Sequence, residues 1–378
     1  MSDDTSRGWI RGWESGGKRG TGHQMETYRL AVIEGDGIGR EVIPEGLAAI
    51  RAAAEVTGSF AIETVDYPWS CQYYAEHGRM MDADALDRMR DSSAIFLGAI
   101  GFPGVPDHVS LWNMLLPLRQ AYDLSVNLRP MRLLPGIPGP LRDRTPSEVD
   151  MVVVRENTEG EYCGIGGRLR AGTPDEVVMQ TAVFTRKGTE RIVRYAFDLA
   201  MQRDRTLISA TKSNALNHSM VFWDEVVAMV APDYPDVRVQ GMHVDALAAF
   251  MILHPERVDT IVASNLFGDI LTDLGAALMG SLGLAPSANI DPTDTFPSLF
   301  EPIHGSAPDI AGRGIANPMA TVWAGSMLLD HLGESDAAAL LMRAVEQVAL
   351  AGPRTPDLGG TASTHDVGDA MVAAIRGA

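Results

Sequence analysis

The sequence predicts an α/β protein of two domains, and three observations carry that expectation. From Tyr28 onward, short apolar runs bounded by turn residues alternate with segments of helical periodicity. That pattern belongs to mixed layers rather than to separate all-β and all-α halves. At 378 residues the chain also exceeds one ordinary hydrophobic core. Finally, its chemistry-bearing residues fall mostly just past the C-terminal ends of the strand-like runs, where ligands bind in such folds.

The elements follow in chain order. "YRLAVI" (28–33) reads as a strand, "GDGIG" (35–39) as the turn after it, and "REVIPEGLAAIRAAAE" (40–55) as a helix. Further buried-strand candidates are "AIFLGAI" (94–100), "DMVVVRE" (150–156), "EVVMQTAVF" (176–184), "TLISATK" (206–212), "DVRVQGMHV" (236–244) and "VDTIVAS" (258–264). Between them lie helical segments, among them "TERIVRYAFDLAMQR" (189–203) and "SMVFWDEVVAMVA" (219–231). In "SNLFGDILTDLGAAL" (264–278), the spacing of Leu266, Ile270, Leu274 and Leu278 predicts a helical stripe facing a core. The first 27 residues, rich in glycine and charge and without the apolar centre of a signal peptide, read as a disordered leader.

Composition excludes several function classes. Apolar content of 46% and charged content of 21% are those of a soluble globular protein. A formal net charge of −18 argues against binding a nucleic-acid phosphate backbone. No apolar run approaches the roughly 18 residues that would span a bilayer. Two cysteines, Cys71 and Cys163, make no disulfide framework and suit a reducing cytoplasm.

Charge is distributed unevenly. No Lys or Arg occurs from Val258 to Gly312, yet Asp259, Asp269, Asp273, Asp291, Asp294, Glu301 and Asp309 lie in that window. Asp269 and Asp273 stand one helical turn apart, where like charges repel. With Asp245, just past the strand "VRVQGMHV", they form a carboxylate set suited to Mg²⁺ or Mn²⁺, the plain alternative being a solvated acidic face. Arg119, Arg129 and Arg155 each end or interrupt an apolar segment, where an uncompensated guanidinium is costly. Together they suggest a pocket for carboxylates, which Arg grips with paired donors. Lys212 leaves a strand end as a candidate base, and Tyr162 sits in a glycine-rich acidic turn. "GDGIG" lacks the full dinucleotide spacing, and a tight turn explains it equally well. "FEPIHGSAPDIAGRGIANP" (300–318) crowds His, Ser, Gly, Pro and Asn into one loop of the kind shaped for a ligand.

Six ordered motifs, "GDGIG", "NLRP", "RENTEGEY", "TKSNAL", "SNLFGDILTDLG" and "FEPIHGSAPDIAGRGIANP", resemble those of the metal-dependent β-decarboxylating dehydrogenases, the isocitrate/isopropylmalate dehydrogenase family. The resemblance runs from about Tyr28 to the C-terminus, and "PWSCQYYAEHGRMM", "PDHVSLW" and "LLPLRQAYD" are most similar to its tartrate/D-malate branch. It implies a two-lobed fold with a mixed central sheet flanked by helices. Residues 28–124 with 280–378 would form one lobe, 125–279 the other, with the active site between them. It further implies NAD as cofactor, a divalent Mn²⁺ or Mg²⁺ ion, and a homodimer with shared active sites, while a K⁺ requirement is left open.

By this resemblance Arg119, Arg129 and Arg155 hold substrate carboxylates, and Asp245 (from the partner subunit), Asp269 and Asp273 ligate the metal. Lys212, acting across the dimer, takes the hydroxyl proton, and Tyr162 helps protonate the product. Glu301, His304, Gly305, Ser306, Ala307, Asp309 and Ile310 match the adenosine site, completed by Asn214 and Asn317. The implied chemistry is oxidation of a 2-hydroxy diacid at C2 followed by loss of the β-carboxylate, as in malate giving pyruvate and CO₂. A non-catalytic regulatory subunit of this fold would have lost the lysine, the tyrosine or a metal aspartate. All are present here.

The segment "SLWNMLLPLR" (110–119) bears on the substrate. Asn113 and Leu115 stand where isocitrate dehydrogenases place the Ser and Asn that hold a third carboxylate, and an apolar Leu cannot pair with that charge. Leu115 and Leu116 resemble the apolar floor of isopropylmalate dehydrogenases, but Trp112 stands where those enzymes tend to carry Glu. An indole there is expected to shrink the space beyond C3. D-malate and tartrate then fit best, with 3-isopropylmalate as the alternative.

Overall fold

The protein is described here from a computed structural model that covers residues 25–142 and 144–378. Twelve strands are present among those residues. They are β1 (Glu26–Gly35), β2 (Phe60–Asp66), β3 (Ala94–Ala99), β4 (Val126–Arg132), β5 (Asp150–Glu156), β6 (Gly160–Leu169), β7 (Val177–Val183), β8 (Thr206–Thr211), β9 (Arg238–His243), β10 (Thr260–Ala263), β11 (Pro286–Ile290) and β12 (Ser298–Pro302). Ten of them form a single sheet in the order β2-β1-β3-β12-β11-β4-β5-β10-β8-β9, and β6 pairs with β7 as a separate two-stranded ribbon.

The sheet is mixed, as the family resemblance implies. The pairs flanking its centre are parallel, whereas β12–β11, β11–β4 and β4–β5 are antiparallel. Strands from residues 26–99 and 286–302 make one half, and strands from residues 126–263 make the other. Helices cover the faces, so inner strands such as β3 are buried at every position, the condition that makes "AIFLGA" a continuous apolar run. Helix Met319–His331 is buried nearly all round, and Trp69, Trp223 and Trp323 are among the fully buried side chains.

The sheet's midline is polar. Asn127 Nδ2 on β4 donates to Ser287 Oγ at 2.8 Å and to Asn289 Oδ1 at 3.0 Å on β11. Asn157 Nδ2 donates to the same Asn289 oxygen at 2.9 Å, and Asn289 Nδ2 donates to Glu301 Oε1 at 2.8 Å. A buried chain of amides therefore runs across the seam and ends on a carboxylate, which binds the two halves in one register.

Several expectations are corrected. The strand that opens the fold begins at Glu26, inside the span the sequence assigns to a leader; residues 1–24 lie outside the described residues. The runs 176–184 and 236–244 do form strands, but not buried ones. β7 is exposed along almost its whole length in the ribbon, and β9 is the sheet's edge. Of the expected stripe on the helix Asn265–Leu278, Leu278 is buried and Leu274 packs against the core, but Leu266 is only half-buried and Ile270 faces outward, and the helix buries Phe267, Gly268, Leu271, Thr272, Gly275 and Ala276 instead. Ile270 is 58% exposed. Small and polar residues face inward there because the neighbouring strands fill the space with long side chains: Met131 packs on Gly275 and Arg155 on Gly268. Among the described residues, no helix is long and apolar enough to cross a membrane.

Candidate active site

Two arginines reach one face of the sheet through strand register. β4 and β5 pair so that Asn127 lies opposite Arg155 and Arg129 lies two residues on, which puts both guanidinium groups on the same face. The third, Arg119, lies in the last turn of the helix Leu116–Ala121. All are buried, at 7% exposure for Arg119 and Arg129 and 2% for Arg155.

The helix Asn265–Leu278 then supplies acceptors at helical spacing. Arg155 Nε and Nη2 donate to Asn265 Oδ1 at 3.0 and 2.7 Å, and its Nη1 donates to Asp269 Oδ1. Arg129 Nη1 donates to Thr272 Oγ1 at 2.6 Å and lies 3.8 Å from Asp269. Arg119 lies 3.7 Å from Glu301. The acidic window thus draws part of its positive charge from arginines outside it. Asp259 is a further case, paired with Arg203 at 2.8 Å, while Asp291 is satisfied by the backbone N–H groups of Thr293, Thr295 and Phe296.

The compensation is incomplete, and that points to an anion. Burial and then Arg155 depress the proton affinity of both Arg119 and Arg129. Arg129 Nε is buried without a partner. Buried guanidinium groups with an unmet donor have the chemistry to receive carboxylate oxygens.

Tyr162 joins the same group. It lies on β6, and its hydroxyl donates to Asp269 Oδ2 at 2.9 Å beneath the Arg155 guanidinium, whose carbon is 5.7 Å from the ring centroid. Burial and then the Asp269 charge raise the tyrosine's pKa, so at neutral pH the phenol keeps its proton. Burial works to raise the Asp269 carboxyl, but Arg155 and Arg129 outweigh it and hold the group below the ordinary carboxylate range. Asp273 differs. It has no ion pair or hydrogen bond among the described residues, and burial followed by Asp269 pushes its pKa up.

Lys212 and Asp245 form a different site. Lys212 Nζ donates to Asp245 Oδ1 at 2.7 Å, just past the ends of β8 and β9. That bond is the main cause of the lowered pKa at Asp245. Among the described residues, no three His, Cys, Asp or Glu side chains of this one chain gather as a metal site. Asp269 and Asp273 supply hard oxygen donors, one of them unpaired, which suits a divalent cation. Asp245 is not gathered with these two among the described residues of one chain.

The loop after β12 is rigidly held. The Ile38 N–H donates to the Ser306 carbonyl at 2.9 Å and the Gly312 N–H to Glu41 Oε1 at 2.6 Å. "GDGIG" is the anchor of this loop: a Cβ on Gly37, at φ +53°, would lie 2.0 Å from the Ser306 carbonyl oxygen. Asp36 in the same turn accepts the backbone N–H groups of Cys71, Gln72 and Gly101. Ala307 is held at φ +42°, a conformation rare for a residue with a Cβ. His304 Nε2 is buried without a partner, and burial lowers the ring's pKa, so the loop offers one unmet polar atom to a ligand.

Gly305 and Asp309 are exposed, Ser306 is buried, and Ile310 packs beside Ile38, Val42 and Ala316. Two of the residues assigned to this site are engaged elsewhere. Glu301 faces Asn289 and Arg119, and the Asn317 amide donates to Asp357 and accepts the Met319 N–H. Asn214 is exposed in the turn after Lys212.

Sequence reasoning missed Asn265 and Thr272, the acceptors that orient Arg155 and Arg129. Both lie in "SNLFGDILTDLG", where the spacing Asn265–Asp269–Thr272 already marked one polar helix face.

Buried arginines on two central strands, a tyrosine on the ribbon and carboxylates on the helix Asn265–Leu278 thus meet in one polar pocket. The chain belongs to the isocitrate/isopropylmalate dehydrogenase family, whose pattern it matches over residues 29–371, and it is an oxidoreductase of that family. Members generally use a nicotinamide dinucleotide and a divalent metal. The chain is 54% identical over 355 residues to the D-malate dehydrogenase (decarboxylating) of Escherichia coli (strain K12), a match covering 92% of this chain and 98% of that relative. It is 49% identical to the tartrate dehydrogenase/decarboxylase of Pseudomonas putida, covering 91% of this chain and 97% of the relative. In three dimensions it is similar to an isocitrate dehydrogenase from Methylococcus capsulatus, with a TM-score of 0.83 and 36% identity over 92% of this chain and 99% of that one.

Proposed function

We propose that this chain carries out NAD-dependent oxidative decarboxylation of a small 2-hydroxy diacid, D-malate foremost and tartrate second. One observation carries the reading: three buried arginines, one with an unmet donor, converge beside Tyr162 and Asp269. Arg119, Arg129 and Arg155 grip the two carboxylates and orient C2. Tyr162, kept protonated by burial and by Asp269, delivers a proton to C3 after the carboxylate leaves. Lys212 removes the hydroxyl proton. A divalent ion, Mn²⁺ or Mg²⁺, held by Asp269, Asp273 and Asp245 would supply Lewis acidity at the reacting oxygens.

Lys212 and Asp245 stand apart from Asp269 in one chain, so the active unit in this reading is a homodimer with shared sites. Support comes from exposed apolar side chains on the ribbon (Ile165, Leu169, Val178, Met179) and on the helices (Leu253, Ile270). The dinucleotide lies along the loop 304–310, with His304 Nε2 as its unmet partner. Residues 28–124 with 280–378 form one lobe and 125–279 the other, and the free cysteines suit the cytoplasm. A K⁺ requirement is open to direct assay.

The test is kinetic. NADH formation is followed with D-malate, L-tartrate, 3-isopropylmalate and isocitrate under one set of metal conditions. D-malate is expected to give the highest kcat/KM. A lead of tenfold or more for 3-isopropylmalate would overturn the substrate assignment.

A further inference from the structure

Trp112 makes a contact that its sequence position does not suggest. It lies in a π-helical turn, Leu111–Leu115, between two short helices, and it is 38% exposed, unusual for so large an apolar side chain. Such turns occur often at functional sites. The indole rests on Gly164 of β6: a Cβ built there would lie 2.9 Å from Trp112 Cζ3 and 3.2 Å from Cη2. Gly164 has φ +77° and sits where the β6–β7 register shifts, between Gly160 and Ile165. The shift and the left-handed residue leave a notch in β6 two residues after Tyr162, and the indole fills it.

The contact joins two segments that carry pocket residues and are distant in sequence. Trp112 is seven residues, about two turns, before Arg119, and Gly164 is two residues after Tyr162. Without a Cβ, Gly164 lets the indole come in over the strand that carries the tyrosine. With one, the ring must withdraw, because the clashing atoms belong to a rigid indole rather than to a flexible chain end.

We propose that Gly164 is a specificity-determining position, setting the depth of Trp112 so that the indole forms a wall between Arg119 and Tyr162 and excludes diacids branched at C3. This rests on the diacid reading above and deepens it. Trp112 contacts the substrate, and Gly164 is the positioning residue that acts through it.

The test is a double-mutant cycle of Gly164→Ala and Trp112→Leu in the full-length enzyme with NAD⁺ and Mn²⁺, measuring kcat/KM for D-malate and for 3-isopropylmalate as the branched probe. Trp112→Leu is expected to raise the ratio of branched to unbranched kcat/KM by about tenfold or more, the order that a buried methylene or two confers. Gly164→Ala is expected to lower kcat/KM for D-malate by about tenfold when Trp112 is intact. In the Trp112→Leu background the same change should cost less than about threefold. The strain of alanine at φ +77° is present in both backgrounds and cancels in the comparison. Equal effects of Gly164→Ala in both backgrounds, or an unchanged substrate ratio in Trp112→Leu, would overturn the proposal. If the alanine variant is insoluble, Gly164→Asn, which tolerates left-handed backbone, repeats the cycle. The wild-type substrate ranking separately tests the diacid reading, and the cycle can be run on whichever substrate turns over.

Discussion

Gly268→Ala tests the arginine pocket without touching a polar atom. Gly268 lies in the buried face of the helix Asn265–Leu278, and a Cβ there would stand 2.6 Å from Arg155 Cγ and 2.7 Å from its Cβ. The Arg155 Cβ is fixed to β5, so the clash cannot be relieved at a flexible end. Overpacking of this kind costs about 1–3 kcal/mol, while replacing glycine inside a helix returns about 1 kcal/mol. The net loss is about 0–2 kcal/mol. At about 2.1 cal/mol/K per residue over roughly 350 ordered residues, Tm should fall by about 3 °C at most. Activity should suffer far more. A shift of about 1 Å in a carboxylate-binding guanidinium costs on the order of 10²-fold, and it should fall on kcat/KM for the diacid while the KM for NAD⁺ holds. Steady-state kinetics beside a thermal melt would separate the two effects. A folded variant with kcat/KM within about twofold of wild type would refute the placing of Arg155 on the substrate.

Three further predictions follow from the same geometry. Asp273 holds its proton more tightly in the folded than in the unfolded chain, so it weakens the fold above its titration range and ceases to do so as pH falls through it. Asp273→Asn should therefore melt no lower than wild type at neutral pH without divalent ions, gaining roughly 0.2–0.5 kcal/mol from lost repulsion, yet lose the stabilisation that Mn²⁺ gives wild type. A lower apo Tm, or an intact Mn²⁺ response, would count against it. Asp309 is exposed on the loop and would meet a 2′-phosphate with like charge, so kcat/KM should favour NAD⁺ over NADP⁺; the reverse preference would remove Asp309 from the ribose. If sites are shared across a twofold dimer, mixing inactive Lys212→Met and Asp269→Asn subunits should restore about a quarter of wild-type activity through heterodimers. No recovery after verified subunit exchange would make each site self-contained.

The sequence by itself determined the α/β class, the strands with continuous apolar runs such as "DMVVVRE", and the charged residues Arg119, Arg129, Arg155 and Asp269 that meet in the pocket. It did so because apolar periodicity is local and because guanidinium and carboxylate groups beside apolar runs are costly unless they have partners. The strands at the sheet's middle escaped it. β4 contains Asn127, Arg129 and Pro130, and β11 and β12 carry Asn289 and Glu301, so polar residues and proline disguised them. They are strands because neighbours on both sides satisfy their backbones and because amide side chains pair across the seam, which no single segment records. The helix 264–278 shows the same limit. Its spacing announced a helix, but which face turns inward was decided by Arg155 and Met131 arriving from other strands. Tertiary structure also chose the partners within one chain, putting Asp245 with Lys212 and Asp269 with the arginines. Electrostatic partners are chosen by distance in space, and for Arg155 and Asp269 that meeting joins residues 114 positions apart.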